Sequence, residues 1–341
     1  MSDGCHDDHV WGNLKMIKIG VIGTGSMGKN HARVCSELND VELVGICDVD
    51  KNTAKVVAER FHTDAYLTYQ ELIAKTDAII IATPTSTHFD IATTALSSGK
   101  HVLVEKPICD TIKNAQALVK KAEDEDLTLA TGHIERHNPA VAFVKEGIQK
   151  NRFGDIISLS SQRVSNLPSR IKDVGVILDF GVHDIDVMRF LCGEVTSVYA
   201  KAGAYTKNIQ YEDHATILLN FENDICGVVE VNWLTPIKIR KIFLTCSEQF
   251  VEMDYIDQSV TVSSSRFKTL DEMDLYHVPM QFTSSHIGLE RKEPLKNEIE
   301  DFIHAVQTHA KPLATGHDGL MALRIAYGAL QSYKKGDVTQ L

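Results

Sequence analysis

No apolar run in this sequence approaches the length that crosses a bilayer, and residues 1–16 lack the apolar stretch of a secretory signal. Cys-x-x-Cys pairs are absent, and the seven cysteines form an odd, scattered set. That argues against a disulfide framework and against a cysteine zinc site. Reduced thiols in a cytoplasmic protein are the simplest reading. Positive charge is in short supply: 35 Lys and Arg face 46 Asp and Glu, for a net charge of −11. Nucleic acid is therefore an unfavourable partner, and an anionic ligand must be held by local basic residues. Internal repeats and low-complexity tracts are also missing.

What is present suits a globular chain of two domains, with 43% apolar and 24% charged residues over 341 positions. Residues 1–15 read as a flexible tail. Its His6, Asp7, Asp8 and His9 are metal-capable, but a loose tail is the simpler account. From Met16 onward, short apolar runs (Ile17–Ile22, Val41–Cys47, Ala78–Ala82, His101–Val104, Leu127–Gly132) alternate with helical stretches. Continuous apolar strands between amphipathic helices predict a parallel sheet covered on both faces. After about residue 150 the pattern changes to long strand-like runs mostly joined without helices: Ile156–Val164, Val195–Ala204, His214–Phe221, Ile225–Leu234 and Lys241–Tyr255. Phe221–Asp224 reads as a hairpin turn, and two helices close the chain at about Leu295–Thr308 and His317–Lys334. The expected architecture is an α/β Rossmann domain over 16–137. An α+β domain with an open, mostly antiparallel sheet follows over 138–341. That sheet's second face is expected to pair two or four copies of the chain.

Gly23-Thr24-Gly25-Ser26-Met27-Gly28 follows the first apolar run and opens a helix. In that context the glycines permit a tight turn and close approach of a pyrophosphate to the helix N-terminus. Asp48 ends the second strand, where a carboxylate accepts the adenosine ribose hydroxyls and repels a 2′-phosphate. NAD is thus favoured over NADP, with Lys51 as the contrary sign. Thr83-Pro84 and His88 follow Ala78–Ala82, at the strand ends where such ligands sit. An ordinary strand-to-helix turn explains that loop equally well.

His101–Val104 running into Glu105-Lys106-Pro107 resembles the Gfo/Idh/MocA family of sugar and cyclitol dehydrogenases. The glycine turn, Thr83-Pro84 with His88, Asp179-x-x-x-His183, and Glu293-Pro294-Leu295 through Glu298 and Phe302 extend the resemblance over nearly the whole chain. It implies NAD as cofactor, with Glu105 and Lys106 near it and a site between the domains. It also implies that Lys106 and His183 lie at the reacting hydroxyl. Residue chemistry agrees. Histidine suits the base that takes a hydroxyl proton, a lysine ammonium can stabilise an alkoxide, and Asp179 can orient the imidazole or bind a hydroxyl. The bland alternatives are a helix histidine satisfied by Asp179 and a surface lysine.

Gly132-His133-Ile134-Glu135-Arg136-His137-Asn138-Pro139 looks most like the branch acting on UDP-linked N-acetylglucosamine, which it oxidises at C3. Arg136, Asn138, Arg163, Lys238 and Arg240 then become substrate-binding candidates, with Arg170 and Lys172 beside them, because arginine forks suit diphosphate oxygens. Solvent-facing charge is the bland account of several of these. Competing readings are a dehydrogenase of a free polyol such as myo-inositol, an NAD-binding regulatory protein without turnover, and a metalloenzyme using His133, Glu135 and His137.

Overall fold

The structure, a computed structural model, describes residues 16–167, 174–206, 210–267 and 280–341. The expected tail with its His6 and His9, and the candidates Arg170 and Lys172, lie outside the described residues.

The first unit is built on six parallel strands. They are β1 (Ile17–Ile22), β2 (Val41–Cys47), β3 (Asp64–Tyr66), β4 (Ala78–Ile81), β5 (His101–Glu105) and β6 (Leu129–Gly132), in the order β3-β2-β1-β4-β5-β6. Helices α1 (Ser26–Glu37), α2 (Lys51–Arg60), α3 (Tyr69–Ile73), α4 (His88–Ser97) and α5 (Ile112–Asp124) connect them. The strand order reverses at β1, which pairs with both β2 and β4, so a crevice opens beyond the carboxyl ends of these strands. Ile79, Ile80 and Ile81 are wholly buried, as two covered sheet faces demand. β3 is not anticipated by the sequence. It is a three-residue edge strand with no apolar run to mark it.

The second unit begins with α6 (Pro139–Gln149), which Asn138 caps by accepting from the Ala140 N–H. Then come β7 (Ile156–Asn166) and a π-helical turn (Ile177–Gly181) running into α7 (Val182–Cys192). The remaining strands are β8 (Val195–Gly203), β9 (His214–Phe221), β10 (Cys226–Asn232), β11 (Leu234–Cys246), β12 (Phe250–Asp254), β13 (Ser259–Phe267) and β14 (Met280–Ile287). Helices α8 (Pro294–Thr308) and α9 (Gly316–Lys335) and the short β15 (Thr339–Gln340) complete the chain. Nine strands form one sheet, β14-β13-β12-β11-β7-β10-β9-β8-β15, antiparallel except for the β7–β10 pair. Lys241–Tyr255, read from the sequence as one run, is two paired strands, with Lys241 opposite Asp254.

One face of this sheet covers α6, α7 and α9, with Val229, Val231, Ile242 and Leu244 buried against them. On the opposite face Ser160 and Leu218 are exposed and Glu252, Phe243, Val228 and Tyr199 are half-buried. Glu252, Phe243, Ser160, Val228, Leu218 and Tyr199 are register neighbours in one row across it. Residues 138–341 do not form a self-contained unit. Leu295, Ile299, Phe302 and Ile303 of α8 are buried in the core of the Rossmann unit with Ile19, Val21 and Ala32. The apolar stripe of α8 faces back across the domain boundary, which its period alone does not reveal. Among the described residues no helix is long and apolar enough to cross a membrane.

Candidate active site

The glycine turn is built for close packing on one side and openness on the other. Gly23 has φ 99°, and a Cβ there would lie 2.4 Å from the Ala82 carbonyl oxygen. A Cβ on Gly28 would lie 2.0 Å from the Gly23 carbonyl oxygen, so α1 can seat only with glycine there. At Gly25 a Cβ would meet no protein atom within 4 Å, and no side chain caps α1. Exposed Ser26 and half-buried Met27 start the helix. Unclaimed N–H groups and the helix dipole therefore face an open cradle that fits a pyrophosphate.

Asp48 is tied to this turn. Its Oδ2 accepts from Thr24 N and Thr24 Oγ1, both at 2.6 Å, and its Oδ1 accepts from Asp50 N at 2.8 Å. A carboxylate offers about four acceptor sites, so one remains for a ribose hydroxyl. Lys51, the contrary sign for NADP, donates its Nζ to the Leu67 carbonyl at 3.2 Å.

Two residues expected at the cofactor turn inward instead. His88 is buried, with Nδ1 at 2.9 Å from the Pro107 carbonyl and Nε2 at 2.9 Å from the Thr83 carbonyl. Burial holds it below the ordinary histidine range. A neutral ring donates to only one of these carbonyls, but both nitrogens face inward, to the Thr83-Pro84 loop and the Lys106-Pro107 turn. Glu105 is also buried, with Oε1 engaged by His31. Both corrections have one cause: a polar side chain at a strand end in a covered sheet must find a partner inside.

At the other end of the crevice, Lys106 Nζ donates to the Asp179 carbonyl at 2.8 Å and to Asp179 Oδ1 at 3.1 Å. Asp179 sits in the π-helical turn and His183 in the first turn of α7. The expected orientation of His183 by Asp179 is not observed, because the carboxylate is turned to Lys106. Asp179 Oδ2 and His183 Nδ1 are buried without hydrogen-bond partners. Burial, followed by the charges of Lys106, Arg163, Arg240 and His133, holds His183 well below the ordinary histidine range. The site thus brings together a neutral imidazole, an ammonium and a carboxylate.

The basic candidates divide sharply. Arg163 is 1% exposed, with Nε and Nη2 each 3.1 Å from Asp184 and Nη1 2.9 Å from Glu135. Arg136 is buried too, with Nε and Nη2 at 2.8 and 2.7 Å from Asp186 and Nη1 at 2.9 Å from the Leu313 carbonyl. Asn138 caps α6 and donates to the Tyr255 carbonyl at 3.0 Å. The expectation that these three meet substrate is corrected, since buried cations and amides are consumed by internal partners. Arg240 keeps a 31% exposed side chain, 3.9 Å from Glu135. Its positive charge is the main cause lowering exposed Lys238 below the usual lysine range. Among the described candidates, exposed Lys238 and half-buried Arg240 keep surface open to solvent.

Sequence reading missed the acids that neutralise these arginines, Glu135, Asp184 and Asp186. The signal was there: α7 carries Asp184, Asp186 and Arg189 among apolar residues all round, which marks a buried helix with paired charges. The metal alternative at His133, Glu135 and His137 requires a strand that presents all three on one face. Ile134–His137 is a 3₁₀ turn rather than a strand, and Glu135 is committed to Arg163. Among the described residues no group of three His, Cys, Asp or Glu is arranged to hold a metal ion.

Fold and site together define a two-domain, NAD-binding oxidoreductase. The description "Oxidoreductase family, NAD-binding Rossmann fold" matches residues 17–133, and "GFO/IDH/MocA C-terminal domain" matches residues 141–252. The chain belongs to the GFO/IDH/MocA family. It is 28% identical over 315 residues to the UDP-N-acetylglucosamine 3-dehydrogenase of Acidithiobacillus ferrooxidans, covering 92% of this chain and 96% of that protein. The solved structure of that enzyme superposes with a TM-score of 0.84 at 27% identity, over 94% of this chain and 98% of the other. The inositol 2-dehydrogenase of Rhizobium meliloti is 27% identical over 333 residues, 93% of this chain and 96% of that protein. A levoglucosan dehydrogenase in complex with NADH and levoglucosan shares the fold, with a TM-score of 0.83 at 20% identity over 95% and 99% of the two chains.

Proposed function

We propose that this enzyme oxidises a sugar hydroxyl to a ketone, and that its substrate is UDP-N-acetylglucosamine, oxidised at C3. The observation that carries the chemistry is the Lys106–Asp179 pair at the turn that leads into His183. NAD bound with its pyrophosphate at the glycine turn supplies the hydride acceptor, nicotinamide C4. His183, held neutral by burial, takes the hydroxyl proton as the carbon gives up its hydride. The Lys106 ammonium, fixed by Asp179, donates to the oxygen while negative charge develops on it. Asp179 Oδ2, buried without a partner, is an acceptor for a neighbouring substrate hydroxyl.

Lys238 and Arg240 supply the anion-binding end, and they favour a diphosphate-bearing substrate on a chain of net charge −11. Similarity to the Acidithiobacillus enzyme supports the same substrate. NADH formation at 340 nm with UDP-N-acetylglucosamine tests the reading. The expected result is turnover that His183→Ala abolishes, and no turnover above a sugar-free control would overturn it. The second reading, a free polyol such as myo-inositol, is favoured by the comparable similarity to inositol 2-dehydrogenases. It draws further support from the inward turn of Arg136 and Arg163.

The partly exposed row of Phe243, Val228, Leu218 and Tyr199 supports pairing of two copies through the open sheet. Leu218→Glu with Val228→Glu should then reduce the mass measured by light scattering to that of a monomer. The six described cysteines are free thiols, which supports a reducing compartment such as the cytoplasm.

A further inference from the structure

Lys106 is positioned from two directions. Asp179 holds its ammonium, while its main-chain N–H donates to Glu105 Oε2 at 3.3 Å. The other oxygen of the same carboxylate, Glu105 Oε1, accepts from His31 Nε2 at 2.8 Å. His31 is wholly buried and lies on α1, three residues after Gly28. One carboxylate therefore links the helix that faces the pyrophosphate to the residue that faces the reacting oxygen.

The surroundings are shaped to keep that link. Gly132 of β6 brings its backbone so close that a Cβ would lie 3.0 Å from Glu105 Oε2. Glu298 of α8 is buried alongside, and burial together with the charge of Glu105 raises it well above the ordinary carboxylate range. Burial alone would raise Glu105 as well, yet the hydrogen bond and charge of His31 bring it below that range. A simple staple between α1 and the sheet would need only apolar contact, which Ala32, Val34 and Cys35 already provide. A buried polar pair adds direction: it fixes the rotation of α1 relative to the backbone of Lys106.

We propose that His31 and Glu105 are positioning residues, through which the seating of the cofactor diphosphate at α1 sets the reach of Lys106. This rests on the reading of Lys106 given above, but its test contains no sugar. Acetylation of Lys106 by dilute acetic anhydride is followed by peptide mass spectrometry on the whole protein, with and without saturating ADP. ADP carries the adenosine and diphosphate of the cofactor and lacks its nicotinamide end. It should slow Lys106 labelling about fivefold, the low end of ordinary coupling between sites. His31→Gln keeps a donor for Glu105 and should preserve the effect. His31→Leu should lose it, although calorimetry shows ADP bound. If His31→Leu does not fold by circular dichroism, Glu105→Gln takes its place, and the ADP effect should shrink by at least half. An ADP effect of wild-type size in His31→Leu or Glu105→Gln, or no ADP effect in the wild type, overturns the proposal. Failure of UDP-N-acetylglucosamine to turn over would bear on the substrate reading alone.

Discussion

Lys106 Nζ lies 3.1 Å from Asp179 Oδ1, a contact that joins the loop after β5 in the nucleotide unit to the π-helical turn before α7 in the other. The ammonium thus reaches the turn that leads into His183 because β5 and α7 are packed together. Both members of the ion pair are nearly buried, at 13% and 7% side-chain exposure, so neither can lose its partner without consequence.

Asp179→Asn should therefore reduce kcat about a hundredfold, because a neutral amide no longer holds the ammonium against the reacting oxygen. Lys106→Met should cost about 10²–10³ in kcat, the usual scale for removing a donor to a developing oxyanion. Steady-state kinetics at saturating NAD, on variants whose circular dichroism matches the wild type, measure both. An Asp179→Asn enzyme within twofold of wild-type kcat would show that the pair plays no part in turnover.

The nucleotide end of this site was legible in the sequence because a fixed spacing marks it. Gly23, Gly28 and Asp48 occupy set places on a strand–turn–helix–strand unit, so the motif names them even though Asp48 meets Thr24 across 24 residues and Gly23 packs on Ala82. The basic residues were not legible in the same way. Arg163 and Arg136 look like Lys238 and Arg240 until α7 folds across them with Asp184 and Asp186. Whether an arginine faces a ligand or an internal acid is decided by contacts 21 to 50 residues away. His88 and Glu105 misled for the reverse reason. They lie at the expected strand ends, but their side chains satisfy carbonyls and a histidine inside.

The pH response follows from buried histidines. His137 is pushed down to about 4 by burial and then by Arg136, and His183 shifts in the same direction. For both, the folded state takes up a proton less readily than the unfolded chain. Stability is therefore full above the ordinary histidine value of 6.5 and is lost as pH falls towards about 4. The melting temperature should drop across that window, and less so in His137→Phe. Because His183 stays neutral below 6.5, the acid limb of kcat/KM should also lie below 6.5. An acid limb above 6.5 would contradict the environment described for His183.

Arg163 should matter for folding. Its guanidinium bonds Asp184 and Glu135 and lies 5.0 Å from the centre of the Tyr255 ring. Arg163→Met leaves buried Asp184 without its cation and Glu135 with Arg240 alone, 3.9 Å away, which costs about 3–5 kcal/mol. Urea denaturation should show that loss. A folded variant of wild-type stability with a raised KM for the sugar would place Arg163 at the ligand instead.

Lys238 and Arg240 should behave in the opposite way. Both keep exposed surface, and the charge of Arg240 disfavours the charge of Lys238, so an anion beside Lys238 relieves repulsion. Lys238→Glu with Arg240→Glu should leave the melting temperature close to wild type. It should raise KM for UDP-N-acetylglucosamine by about tenfold or more, as expected when one charged hydrogen bond of ~1.5–3 kcal/mol is lost. With the wild-type enzyme, KM should climb with added salt, since partly exposed charges are screened over about 8–10 Å at 0.1–0.15 M. A free polyol carries no charge for these residues to meet. Turnover of myo-inositol, if it occurs, should therefore be untouched by the double reversal and insensitive to salt. The two substrates thus give opposite patterns on the same pair of variants, and a salt-independent KM for UDP-N-acetylglucosamine would remove the case for a diphosphate at this end of the crevice.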